Sequence, residues 1–92
     1  MDEMQITDMN MPSEPFDFGG ALMALRAGRE VARTGWNGPN QKLTLQVPDE
    51  HSKMTLPYIY ITTVQGDRVP WLASQTDLLA NDWVLARWGV VA

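Results

Sequence analysis

The sequence has no cysteine and a single histidine, His51. Without thiols there is no disulfide framework and no thiolate to act as nucleophile or metal ligand, which fits a reducing compartment. A zinc site needs several such ligands, and a solitary His51 does not supply them. Basic residues are also scarce. Seven Lys and Arg against eleven Asp and Glu leave a net charge of −4. That argues against general binding to a nucleic-acid polymer, which depends on clustered cations. A single phosphate group is different, because a few N–H groups and one Arg can hold it. Long apolar runs are missing too. Nothing approaches the roughly 20 residues of a membrane span, and the acidic N-terminal stretch lacks the basic-then-apolar order of a signal peptide. The expectation is a cytoplasmic protein that does not engage a membrane.

What remains is a chain of 92 residues, 45% hydrophobic and 20% charged, which reads as one ordinary globular domain. A domain this size buries only about 60–65% of its unfolded surface, so self-association would help it. Residues 1–15 hold four Met, four carboxylates and two Pro without a period and read as an acidic tail. The folded domain is expected over residues 16–92. Phe18, Ala21, Leu22 and Leu25 recur at helical spacing behind a capping Asp17, with Phe16 as a staple and Gly28 as the stop. Val31-Ala32-Arg33 reads as a short strand. Lys42 to Val47 alternates, with Leu43, Leu45 and Val47 on one face. Tyr58 to Val64 is the strongest strand, Gln65-Gly66-Asp67 a hairpin turn, and Arg68 to Leu72 a returning edge strand marked by Pro70. Ser74 to Ala80 is a short helix, with Ser74 and Asp77 spaced as a capping box. Trp83 to Trp88 is a last strand. The fold class is α+β: a small antiparallel sheet of about five strands with two short helices.

Two segments carry most of the chemistry. In Gly35-Trp36-Asn37-Gly38, glycines flank a flat aromatic and a bifunctional amide. The glycines let the backbone approach a partner, Trp36 can stack a base, and Asn37 can both donate and accept. A tight turn with Trp36 folded into the core fits the same residues. In Pro70-Trp71-Leu72-Ala73-Ser74-Gln75-Thr76-Asp77, a strand ends in a Trp and runs straight into a helix start. Such a start can receive an anion, with Ser74, Gln75 and Thr76 adding polar side chains. Here the competing reading is a helix cap beside a core Trp71. Arg33 and Arg68 are lone charges on strands, suited to solvent or to phosphate. His51 sits in a polar loop with no nucleophile marked beside it, and no catalytic group is assigned.

In this order, Phe18-Gly19-Gly20-Ala21-Leu22, the stretch from Gly28 to Arg33, Gly35-Trp36-Asn37-Gly38, Leu56-Pro57-Tyr58-Ile59, and the run from Val69 to Asp77 with Asp82-Trp83 resemble the second Thoeris anti-defence family of phage proteins. The resemblance spans about residues 16–85. It implies a sponge. In Thoeris immunity a bacterial TIR-domain enzyme turns NAD into a cyclic ADP-ribose isomer that activates an effector. Family members bind that signal without cleaving it, form homotetramers with pockets at subunit interfaces, and in some cases bind cyclic dinucleotides at a separate site. The implied ligand is a glyco-cyclic ADP-ribose, the implied setting the cytoplasm of the infected host, and the implied mode non-enzymatic, with no cofactor and no metal. Trp36 or Trp71 would stack the purine. Asn37 and Asp77 would meet base or ribose, the stretch with Ser74, Gln75 and Thr76, helped by Arg33 or Arg68, would receive phosphate, and Gly38 would let the loop approach the ligand. A protein-interaction module with a Trp-rich patch against a host protein is the alternative. The acidic tail and residues 87–92 fall outside the family pattern, and Trp88 is a candidate subunit contact.

Overall fold

The computed structural model describes residues 15–86; the acidic tail and Trp88 lie outside them. Asp17 has an extended backbone and accepts from the Gly20 N–H at 2.9 Å, which satisfies one of the free donors of the first helical turn. Helix α1 (Phe18–Arg26) follows and buries Ala21, Ala24 and Leu25. Phe16 lies against it so closely that a side chain at Gly20 would meet the Phe16 Cβ at 2.9 Å. The stop is a Schellman motif. The Gly28 N–H donates to Leu25 O at 3.0 Å and the Arg29 N–H to Ala24 O at 2.9 Å, with Gly28 at φ 87°.

Five strands form one antiparallel sheet: β1 (Val31–Arg33), β2 (Lys42–Gln46), β3 (Tyr58–Thr62), β4 (Arg68–Pro70) and β5 (Trp83–Leu85). Their order is β4-β3-β2-β1-β5. Helix α2 (Gln75–Leu78) links β4 to β5 across the width of the sheet. The architecture is the expected α+β one, with two short helices and an antiparallel sheet of five strands.

The register explains the core. Leu85, Val31, Leu43, Ile61 and Val69 are successive cross-strand partners, so they share one face. α1 packs on that face, and Trp83, Leu25, Leu43 and Val31 are its largest fully buried side chains. Lys42, Thr44, Gln46, Tyr58, Tyr60 and Arg68 alternate onto the other face. There Glu30 pairs with Lys42 at 3.1 Å and accepts from the Thr44 hydroxyl at 3.1 Å. Pro70 lies on the outermost strand, where its missing N–H costs no ladder bond.

Strand ends differ from the pattern in the sequence. β2 stops at Gln46, opposite Tyr58, and Val47 is 65% exposed. Alternation places Val47 with Leu43 and Leu45, but the paired register has ended and no layer among the described residues covers it. β3 stops at Thr62 because Thr63 turns the chain: its N–H donates to Asp67 O, and its carbonyl accepts from the Gly66 N–H, both at 2.8 Å. β4 ends at Pro70 rather than Leu72, although the Trp71 N–H still reaches Ile59 O at 3.0 Å. Leu72 then points out, 90% exposed.

Candidate functional site

Trp83 begins β5 and is wholly buried, and three other aromatic rings gather on it. Phe18 lies 5.3 Å from it, Trp36 5.5 Å and Trp71 6.1 Å between centroids, all near edge-to-face, while Phe18 and Trp71 are 5.9 Å apart. The two tryptophan segments of the sequence therefore meet in space. Trp36 and Trp71 are both half-buried and packed on the core. Each packs on the core yet keeps part of its surface exposed, so a wholly buried role fits neither.

An ion cluster adjoins the rings. Arg33, at the end of β1, is not the lone strand charge the sequence suggests. Its Nε donates to Asp82 Oδ1 at 2.7 Å and its Nη2 to Asp82 Oδ2 at 3.3 Å, while Nη1 donates to Asp77 Oδ1 at 2.9 Å. Asp77 Oδ1 also accepts from the Trp36 indole N–H at 3.2 Å. Asp82 Oδ2 accepts from the Gly35 N–H at 2.9 Å. The Trp83 indole N–H donates to the Asp77 carbonyl at 3.0 Å. One guanidinium and two carboxylates thus join β1, the glycine loop, α2 and β5. Burial pushes the Asp77 carboxyl up, but bonds from Arg33, Trp36 and Ser74 outweigh it and hold the group below its usual range. The Arg33 bonds hold Asp82 low as well, and Arg33 is raised in turn, first by its bond to Asp82 and then by that to Asp77.

This cluster also explains the glycines. A Cβ at Gly35 would stand 2.8 Å from Asp82 Oδ2. Gly38 sits at φ 93°, where a Cβ would come within 2.6 Å of Val64 Cγ2. Asn37 is exposed, and its carbonyl accepts from the Gln41 amide. The start of α2 carries the capping box that the sequence suggests: the Asp77 N–H donates to Ser74 Oγ at 3.0 Å and the Ser74 N–H to Asp77 Oδ2 at 3.4 Å. Gln75 and Thr76 are exposed. With its own carboxylate over a four-residue helix, this end offers an external anion little.

The open space lies elsewhere. A groove of about 710 Å³ runs between α1, β3 and the end of α2, lined by Phe18, Leu22, Arg26, Tyr58, Trp71 and Leu78 among others. Trp71 is the member shared with the two segments. Arg26 is exposed and forms no ion pair among the described residues. In the sequence Arg26 is simply a basic residue in the last turn of a helix, a common stop signal. Its exposed charge at the far end of the helical face from Phe18 was the available clue. Arg68 is not brought to the tryptophans. It lies on the opposite face of the sheet, its Cζ 5.9 Å from the Tyr60 ring centroid, in a smaller pocket of about 410 Å³ with Lys53, Ser52 and Tyr58. His51 is 84% exposed and pairs with Glu50 at 3.4 Å.

Comparison with known proteins places this arrangement. Residues 16–86 match the family model described as a Thoeris anti-defense 2-like domain. A protein of Bacillus phage SP01 named Thoeris anti-defense 2 is 35% identical over 79 residues, covering 72% of this chain and 89% of the relative.

Proposed function

The chain belongs to the Thoeris anti-defense 2 family and so has an anti-defence role; from that premise we propose that it captures a cyclic ADP-ribose isomer in the infected cell and holds it uncleaved. The observation that carries the reading is the groove beside Trp71. Its volume falls in the usual range for small-molecule sites, about 300–1,000 Å³. It offers Trp71 and Phe18 to a purine, and Arg26 to a pyrophosphate. The carboxylates nearest the aromatic cluster, Asp77 and Asp82, are committed to Arg33. That arrangement suits holding a ligand rather than transferring a proton.

Capture at nanomolar strength needs about −12 kcal/mol, which is much to gather in an open groove on a small domain. We place the closed site between subunits of a homo-oligomer, a tetramer by family resemblance. Asn37, Gln75 and Thr76, all exposed around the cluster, are then rim contacts to ligand or to a second subunit. Cyclic dinucleotides are a further candidate ligand. The test is depletion of free glyco-cyclic ADP-ribose by the purified protein, followed by heating. Intact signal should return. A hydrolysed product would mean an enzyme.

One observation favours a second reading. Leu72, Leu79 and Leu56 are 90%, 77% and 74% exposed, a supply of apolar surface that a protein partner would cover. Stoichiometric capture of one host protein, unaffected by added nucleotide, would favour that reading over the sponge.

A further inference from the structure

Helix α2 has only four residues and buries none of them. Isolated helices so short do not stand in water, and the hydrophobic contacts that anchor α1 are not available to it. What α2 has instead is Asp77. Its carboxylate takes the Arg33 Nη1 and the Trp36 indole, and its carbonyl takes the Trp83 indole. Arg33 itself is aimed by Asp82 through the Nε and Nη2 edge. That edge-on pairing uses the planar fork of guanidinium, which a lysine cannot reproduce. Leu78, near the other end of the helix, lines the groove.

We propose that Arg33 is a positioning residue, not a ligand contact: through Asp77 it clamps α2 onto the sheet so that Ala73 and Leu78 form a fixed wall of the groove. The helix wall, the Trp36 loop and β5 then move as one body while the clamp is closed. The same guanidinium has its Nε, Nη1 and Nη2 all engaged, and only 15% of the side chain is exposed, which leaves little of it for a phosphate. The consequence for binding rests on the groove being the ligand site; the clamp itself does not.

Hydrogen exchange followed by NMR on the full chain, without nucleotide, tests the clamp in the parent, Arg33→Lys and Asp82→Asn. The amides of Leu78 and Leu79, which donate to Ser74 O and Gln75 O, report on the helix. The Trp36 and Trp83 indoles report on the tether. Exchange at these positions should rise about tenfold or more in both variants, as expected for loss of a charged hydrogen bond, while β2 and β3 amides keep their protection. Unchanged exchange at Leu78 and Leu79 would overturn the proposal. So would a uniform rise across the sheet, which would make Arg33 a general stabiliser. In a second arm, each variant is titrated with glyco-cyclic ADP-ribose. Both should bind more weakly, including Asp82→Asn, which keeps the arginine. Weakening in Arg33→Lys alone would mean that Arg33 touches the ligand and would refute the positioning role. If the parent binds no nucleotide while the exchange pattern holds, the proposed function fails and the clamp stands.

Discussion

Asp77 shows how one residue serves several ends at once. The spacing Ser74-x-x-Asp77 made its cap legible, because capping is a local affair. Its partnership with Arg33 was not legible, since the two are 44 residues apart and no local signal links them. The same holds for Arg33 and Asp82, 49 residues apart. A sign for pH follows. Both carboxyls are held below their usual values, so their contribution to stability is complete above the ordinary carboxylate range and is lost as pH falls through the lower folded values. Thermal unfolding of the parent should therefore lose ground on acidification below about pH 4, and Asp82→Asn should lose less. Parallel curves would show that the cluster does not titrate with folding. Arg26 offers a second check at this scale. Arg26→Gln should leave the unfolding midpoint in place, as an exposed charge with no ion pair among the described residues. It should weaken nucleotide capture about tenfold or more, the scale of a charged hydrogen bond. Capture unchanged in calorimetry would remove Arg26 from the site.

At the scale of elements, the two helices are held by different means. α1 carries an apolar face with a period, and its limits at Asp17 and Gly28 follow from caps that the sequence displays. Periodicity identified that face without dividing it. Leu25 is 1% exposed and belongs to the core, whereas Leu22 is half-buried and lines the groove. Leu25→Ala should cost about 2–5 kcal/mol and Leu22→Ala clearly less, which denaturant midpoints will compare. Equal costs would place the groove wall inside the core. α2 shows no apolar face and is held by hydrogen bonds and the ion cluster. Strand cores were legible from β-branched and aromatic alternation, but strand ends were not. Val47 continues the alternation yet has nothing to pack on, because pairing and covering layers are tertiary facts. In the sequence the glycine loop suggests freedom to approach a ligand; in the fold Gly38 is demanded by Val64 and its left-handed backbone. Gly38→Ala should destabilise by more than about 1 kcal/mol, and a midpoint within error of the parent would argue that the loop simply shifts.

The described residues form a sheet with α1 on one face, built around a few fully buried side chains. A core of that size fits a small domain that gains from association. The opposite face keeps Tyr58, Tyr60 and Arg68 around its own pocket. The match to the family covers residues 16–86, almost the described body of the chain. What the sequence could not display is how the two tryptophan segments share one buried ring, Trp83, because that convergence joins β5 to two distant loops. The function proposed for this assembly is capture of a nucleotide signal without any change to it. The direct measurement mixes purified protein with glyco-cyclic ADP-ribose, removes the protein by filtration, and analyses the filtrate before and after heat release. Free signal should fall in proportion to added protein and reappear chemically intact on heating. Signal that stays free throughout, or returns only as a hydrolysed product, would contradict it.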